Sequence, residues 1–317
     1  MHIDHEGIKQ FAAARVDLPA ERAKTYRDQV RALRERLASK ISEDPEIGLI
    51  KMLHSGSVAK GTALRTVNDL DVAVYVTAAK APNSTPDLLG WLRERLVQAN
   101  SNMNSEQFVL QEHCVTVSFK GSGLDVDVVP VLYEGEDDDM GYLIRKGSGE
   151  RVRTSIPLHL DFIRRRKQLH GPGFAQVIPL TKWWKRVELE ADASFRLKSF
   201  MQEMLWARLV DSGVSLDDYT VSLEDYFKSL VRSGLDEQIW FPDYGTSEPD
   251  GLKSPIRMLD PVNADNNVAA RYTLADKERV LEAAHRCLDA LAEARFATTK
   301  ARAVKCWQTV LGPAFSG

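Results

Sequence analysis

Two pairs of aspartates are the residues in this sequence with the clearest chemical potential. Asp69 and Asp71 open one predicted strand, and Asp125 and Asp127 lie on a later strand that is otherwise apolar. Side chains at positions i and i+2 of a strand share a face, so each pair presents its carboxylates side by side. Adjacent carboxylates are costly to keep ionised unless a cation lies between them, and oxygen ligands favour Mg²⁺ or Mn²⁺. Converging carboxylates of this kind predict a two-metal site.

A glycine turn precedes the first pair. Gly56 and Ser57 follow a predicted strand and open a short helical segment, and eleven residues separate Ser57 from Asp69. Backbone N–H groups and a hydroxyl at a helix N-terminus favour phosphate. The segment is not a Walker A loop, because the order Lys60-Gly61-Thr62 does not fit that motif. Each aspartate alone is equally explained as a turn or edge charge, but the combination predicts a phosphate site beside the metals.

A sheet and a set of helices must position these residues. Val-, Ile- and Tyr-rich stretches predict strands at 50–53, 70–77, 114–119 and 124–133. Helical spacing of apolar residues runs from Tyr26 to Ile41 and again over 87–98. Beyond residue 156 the pattern is nearly all helical, at 157–168, 178–190, 196–211, 222–233 and 274–294. We predict an α+β fold with two domains, a mixed-sheet catalytic core with its N-terminal helix (1–155) and a helical domain (156–317).

Composition narrows the class of protein. The 317 residues carry 42 Lys and Arg against 45 Asp and Glu, a net charge of −3, so any phosphate-binding surface must be local. No apolar stretch is long enough to span a membrane, and the first residues do not resemble a signal peptide. Three widely spaced cysteines do not form a disulfide framework. We therefore expect a cytoplasmic protein with no membrane association.

Longer segments resemble a known superfamily. The Gly-Ser, Asp-x-Asp and later strand acid look like the nucleotidyltransferases related to DNA polymerase β, poly(A) polymerase and oligoadenylate synthetase. Segments 56–76, 121–133, 155–162 and 260–269 are similar to the bacterial cGAS/DncV-like nucleotidyltransferases (CD-NTases) of anti-phage CBASS operons, especially the clade C and D enzymes that accompany HORMA-domain proteins. The resemblance covers nearly the whole chain. It implies a polymerase β-like core and an oligoadenylate synthetase-like helical domain, with the active site in the cleft between two lobes.

The resemblance assigns roles in the core. It implies that Asp69, Asp71 and Asp127 are the catalytic metal ligands and that Gly56 and Ser57 contact the triphosphate. Asp127 is preferred to its neighbour at position 125 because the matching strand of the family runs acid, two apolar residues, proline. The carboxylate at position 125 would then contact the metal ligands and not the metal.

The resemblance also assigns roles in the helical domain. Lys182 matches a lysine that reaches the triphosphate. The helical pattern places Lys182 in a basic strip with Lys185 and Arg186. The alternative explanation of this strip is an ordinary solvated helix face. Two further segments match the family's nucleotide pocket. In the segment 198–201 we expect Ser199 to touch phosphate and Phe200 to stack on the base, although a core position explains Phe200 nearly as well. In the segment 260–268 we expect Asp260 and Asn267 to help orient the pocket.

The implied function is template-independent joining of ATP into a cyclic oligoadenylate, with cyclic tri-AMP favoured. The implied cofactors are two Mg²⁺ ions, with Mn²⁺ as a substitute, and the implied partner is a HORMA-domain activator. A linear oligoadenylate or RNA-tailing polymerase would share every catalytic residue, and a non-catalytic scaffold of the same fold is the third reading. The basic run Arg164–Lys167 is a candidate for binding DNA or a product phosphate, although a solvated helix end explains it better.

Overall fold

The computed structural model describes residues 2–44, 47–67, 69–77, 85–144, 149–245, 247–250 and 252–317, without the side chains of residues 85 and 86. The chain divides into two compact units, Leu18–Asp161 and Met1–Asp17 with Phe162–Gly317. None of the described helices combines the length and the hydropathy of a membrane-spanning segment.

The first unit is a mixed sheet with helices. Its strands are β1 (Leu49–Ser55), β2 (Asp69–Thr77), β3 (Phe108–Leu110), β4 (Val115–Phe119), β5 (Leu124–Tyr133), β6 (Gly141–Ile144) and β7 (Arg151–Thr154). Their order is β1-β2-β5-β4-β3, with β6 paired to β5 and β7 to β6. Only the β2–β5 pair is parallel among these pairings. The α-helices described wholly within this unit are α2 (Ala20–Ser42), the short α3 (Gly56–Lys60) and α4 (Thr85–Ala99).

One face of the sheet carries the main core. Alternate residues of β2 and β5, beginning with Leu70 and Leu124, pack with the apolar stripes of α2 and α4. The stripe of α2 consists of the residues that the sequence predicted, and all of them are buried: Tyr26, Val30, Leu33, Leu37 and Ile41. Because side chains alternate along a strand, the intervening residues of β2 and β5 face the other side of the sheet.

The second unit is helical. It contains α1 (His5–Phe11), continued by a π-helical turn (Ala12–Val16), then α6 (Gly173–Ala191), α7 (Ser199–Asp211), α8 (Tyr219–Ser233), α9 (Leu274–Phe296) and α10 (Lys300–Leu311). The remaining helix, α5 (Ile156–His170), contains the residue at which the two units are divided.

Residues 2–17 pack with the helical unit, whereas from the sequence we expected them in the catalytic core. The ring of Phe11 lies edge-on to those of Trp183 and Phe315, at centroid distances of 6.0 and 5.2 Å. His5 contacts Tyr219 of α8 at 4.4 Å between ring centroids. This N-terminal segment therefore buries its aromatic side chain among residues that come much later in the chain.

Candidate active site

The four aspartates lie on one face of the sheet, opposite the main core. In the parallel pairing of β2 with β5, Asp69 is the partner of Asp125 and Asp71 is the partner of Asp127. Asp69 is exposed and the other three are half-buried. The same face becomes apolar further along the strands, where Ala73, Tyr75 and Val131 form a small buried cluster. The acidic group is therefore confined to the N-terminal ends of two neighbouring strands.

Gly56 touches the carboxylate of Asp71. A Cβ atom added at Gly56 would lie 1.8 Å from Asp71 Oδ2 and 2.7 Å from its Cγ. The backbone of Gly56 also has φ +68°, a conformation that other residues adopt at a cost. Ser57 follows in the first turn of α3, whose N-terminus has no side-chain cap. The sequence therefore needs glycine here for two reasons, and the turn holds Ser57 next to the acidic group.

Asp127 has polar neighbours on its other side. Thr116 of β4 is its cross-strand partner and donates a 2.6 Å hydrogen bond from Oγ1 to Asp127 Oδ1. Cys114 lies two residues before Thr116 and is 8% exposed. Burial, and then the charge of Asp127 with its hydrogen bond to the thiol, raise the pKa of Cys114 to about 12. The thiol is therefore neutral at physiological pH.

Sequence reasoning did not assign Thr116 or Cys114 to this site. The alternation Cys114-Val115-Thr116-Val117-Ser118 places its polar members on one face of a strand. Only the pairing of β4 with β5 reveals that this face is the one that carries the carboxylates.

The carboxylates of β2 and β5 are suited to binding Mg²⁺ together with the phosphates of a nucleotide. Among the described residues, no group of three or more His, Cys, Asp or Glu side chains is placed so that it could hold a metal by itself. Mg²⁺ seldom needs such a cage, because it keeps several waters and binds through one or two carboxylates plus substrate phosphates. The all-oxygen set of Asp69, Asp71 and Asp127 has the chemistry for this mode.

The predicted residues of the helical unit fall into two groups. Lys182 is 4% exposed, so the prediction that it lies on an exposed strip of α6 is wrong. Its Nζ makes a 2.8 Å ion pair with Glu203 Oε1, and the Glu203 side chain is only 3% exposed. Pro179 lies inside α6, which begins six residues earlier at Gly173. The residues from Val177 to Lys182 are all buried, so this part of α6 is enclosed on every side. The ion pair with Glu203 offsets part of the cost of burying the charge of Lys182.

The second group lies around the start of α7. Ser199 is exposed in the first turn, and Phe200 is half-buried, so Phe200 is not a fully buried core residue. The preceding Lys198 donates from Nζ to the carbonyl of Val268 at 2.8 Å, and from its backbone N–H to the hydroxyl of Tyr272 at 2.8 Å. The start of α7 is thus tied to the loop that carries Asn267.

Asp260 and Asn267 bind the backbone of their own loop. Asp260, 4% exposed, accepts from the backbone N–H of Val262 at 2.9 Å. Asn267 accepts from the backbone N–H groups of Met258 and Ala269 and donates to the carbonyl of Ile256. These hydrogen bonds fix the shape of the loop around both residues.

The basic run in α5 is not a continuous surface. Arg166 is 4% exposed and makes ion pairs with Asp211 at 2.6 Å and Asp243 at 2.8 Å. Its guanidinium also lies 3.8 Å from the centroid of the Phe162 ring. Arg166 therefore stabilises the helical unit, and the exposed cations of the run are Arg164, Arg165 and Lys167.

The sheet, the glycine turn and the paired aspartates define a nucleotidyltransferase. The model of the Second Messenger Oligonucleotide or Dinucleotide Synthetase domain (SMODS) matches residues 1–151. The chain is 44% identical over its full length to the cyclic AMP-AMP-AMP synthase of Escherichia coli strain MS 115-1, of which it covers 99%. It is 29% identical to the CBASS oligonucleotide cyclase CdnC of E. coli strain KTE188, over 99% of this chain and 98% of the relative. The chain belongs to the CD-NTase family of CBASS oligonucleotide cyclases.

Solved structures agree with this assignment. The E. coli MS115-1 CdnC structure with ATP has a TM-score of 0.92 at 44% identity and full coverage of both chains. The CdnC:HORMA-deltaN complex gives 0.92 at 43% identity, over 100% of this chain and 99% of the other. Vibrio cholerae DncV in its GTP-bound form gives 0.77 at 12% identity, over 99% of this chain and 96% of the other, which is a likeness of fold alone. The α+β nucleotidyltransferase fold and the enzyme class expected from the sequence are confirmed.

Proposed function

We propose that this enzyme joins ATP into cyclic tri-AMP, a second messenger of anti-phage CBASS signalling. The observation that carries the proposal is the register of β2 with β5, which gathers four carboxylates beside Gly56. The full-length relative named as a cyclic AMP-AMP-AMP synthase supports the choice of product, and the ATP-bound CdnC structure supports the choice of substrate.

The proposed reaction transfers a nucleotidyl group. A ribose hydroxyl attacks the α-phosphorus of an ATP, the bond from that phosphorus to the bridging oxygen breaks, and pyrophosphate leaves. The hydroxyl end of the linear product later attacks the α-phosphorus of its own 5′ triphosphate, the bond from that phosphorus to its bridging oxygen breaks, and a further pyrophosphate leaves as the ring closes. Asp69, Asp71 and Asp127 would hold two Mg²⁺ ions (Mn²⁺ as a substitute), and Asp127 would take the proton of the attacking hydroxyl. When bound, the metals would activate that hydroxyl and neutralise the departing pyrophosphate.

The remaining side chains position the substrate. Ser57 and the backbone at Gly56 would contact the triphosphate, since the first-turn N–H groups of a helix lack intrahelical acceptors. Ser199 and Phe200 would contact phosphate and base from α7. Lys182 would reach a phosphate only by giving up its ion pair with Glu203, so we assign it first to the integrity of the helical unit.

The relatives support a protein partner for this chain, and its cysteines support a cellular compartment. The structure of a CdnC:HORMA complex supports a HORMA-domain activator for this chain. All three cysteines are free and buried, as in proteins of a reducing compartment, which supports the cytoplasm. DNA binding on α5 would rest on the three exposed cations alone, and a salt-dependent gel shift that Arg164→Ala with Arg165→Ala abolishes would support it.

Mass spectrometry of phosphatase-treated products tests the function. The enzyme would be incubated with Mg²⁺ and all four NTPs, alone and with a HORMA partner. A phosphatase-resistant mass of three AMP units less three waters supports the proposal, whereas a phosphatase-sensitive ladder would identify a linear polymerase. The variant Asp69→Asn with Asp71→Asn should give no product while it melts as the wild type does. A double variant that makes product at the wild-type rate would overturn the metal site.

A further inference from the structure

The carboxylate of Asp127 is held from the neighbouring strand. Thr116 and Asp127 are direct cross-strand partners, and the distance from Thr116 Oγ1 to Asp127 Oδ1 is 2.6 Å. A hydroxyl–carboxylate bond of that length is charge-assisted and stronger than a neutral one. Both side chains are half-buried, so competition from water is reduced.

The branched side chain of Thr116 fixes the position of the donor hydroxyl. Threonine is branched at Cβ and therefore restricted at χ1, so its hydroxyl is held in place before any ligand arrives. On the opposite side of Asp127, its register partner is Asp71 of β2. A carboxylate placed beside another acidic side chain would otherwise rotate away from it.

We propose that Thr116 is a positioning residue for the active site, because its hydroxyl fixes the Asp127 carboxylate in the orientation that binds metal and nucleotide. This inference rests on the proposed function, in which Asp127 is a metal ligand. Hydrogen-bond partners of metal ligands orient those ligands, and their loss typically weakens metal affinity or activity by about 10- to 100-fold.

Two substitutions separate the hydroxyl from the shape of the side chain. Thr116→Val keeps the branched, strand-compatible form and removes the donor, and Thr116→Ser keeps the donor. Ser118→Ala is the matched control, because Ser118 shares the face of β4 and pairs with Asp125. Among the described residues the Ser118 hydroxyl makes no hydrogen bond to a carboxylate. Thermal melting of each variant without ligands shows whether the fold is intact.

The readouts are Mn²⁺ binding, followed by electron paramagnetic resonance in the presence of a non-hydrolysable ATP analogue, and the Mg²⁺ concentration that half-saturates product formation. We expect Thr116→Val to raise the dissociation constant of Mn²⁺ and the half-saturating Mg²⁺ concentration, each by about 10- to 100-fold. Thr116→Ser should stay within about 3-fold of the wild type, and Ser118→Ala should be unchanged.

Three outcomes decide between the possibilities. If Thr116→Val binds Mn²⁺ as tightly as Ser118→Ala does, the positioning role is wrong. If Thr116→Ser is as impaired as Thr116→Val, packing rather than the hydroxyl is responsible, which also overturns the inference. Asp127→Asn is the reference for the proposed function. If Asp127→Asn keeps wild-type Mn²⁺ binding and turnover, the metal-site assignment fails. If Asp127→Asn loses Mn²⁺ binding and turnover while Thr116→Val keeps both, only the role of Thr116 is refuted.

Discussion

The close approach of Gly56 to Asp71 makes Gly56→Ala a sharp test of the active site. The added methyl group would lie 1.8 Å from Asp71 Oδ2 and 3.1 Å from its Cβ, so the aspartate must move. Rotation of the carboxylate relieves the first contact but takes the oxygen about 1 Å or more from its position. A misplacement of about 1 Å costs roughly 100-fold in rate when the group must be aligned with a reacting bond.

The backbone cost of this substitution can be measured separately. Gly123, in the turn before β5, has φ +66°, nearly the value of Gly56, and a Cβ atom there would meet nothing within 4 Å. Each alanine variant therefore loses about 1–2 kcal/mol of stability from the left-handed backbone conformation. The difference between the two variants isolates the displacement of Asp71.

The assay pairs thermal melting with product formation, quantified by chromatography at saturating ATP and Mg²⁺. Both variants should melt below the wild type because they share the backbone cost, and Gly56→Ala should melt lower than Gly123→Ala because it also displaces Asp71. Gly56→Ala should form product about 100-fold more slowly, and Gly123→Ala should keep nearly the wild-type rate. If the two variants form product at rates within about 3-fold of each other, the contact with Asp71 has no role in catalysis.

Three further outcomes are expected. Lys182→Met should destabilise the protein by about 3–5 kcal/mol because it removes the buried cation paired with Glu203, and adding Glu203→Leu should restore most of that loss in chemical denaturation; an additive double variant would contradict this. Burial, followed by the nearby charge of Arg34, lowers the pKa of His54. The unfolded chain therefore binds the proton more tightly than the folded one, so the stability of the fold decreases as the pH drops below about 6.5. The melting temperature of His54→Gln should decrease less between about pH 7.5 and 5.5 than that of the wild type. Equal decreases would refute the assignment. The buried thiol of Cys114, with its pKa raised to about 12, should resist alkylation at pH 8 in the native protein, as peptide mass spectrometry would report, and rapid native labelling would show that β4 opens.

The sequence predicted the elements that are marked by regular periodicity. The apolar stripe of α2 and the strands β2 and β5 follow from spacing alone, because burial on one face imposes a period. The short edge strand β3 and the strands β6 and β7 were not predicted, since strands of three or four residues leave too little alternation to recognise.

The site was predictable to the extent that its residues are local. Gly56 and the two strand acids fall within short motifs, whereas the role of Thr116 depends on a pairing between strands that no spacing reveals. The expectation that Lys182 is exposed failed because α6 is buried on every side from Val177 to Lys182, and the residue that compensates its charge, Glu203, lies on another helix.

The packing of the first seventeen residues has a consequence for synthesis on the ribosome. Leu18–Asp161 is a continuous stretch, so the unit that carries the carboxylates has all its residues once Asp161 has emerged. The helical unit is different, because Phe11 must wait for Phe315 before its ring is buried. Since domains tend to fold as units while the chain is made, the acidic sheet should form first, and the helical unit should close only after Phe315 has emerged. A nascent chain would therefore carry its paired aspartates without a completed helical unit while residues 162–315 are made.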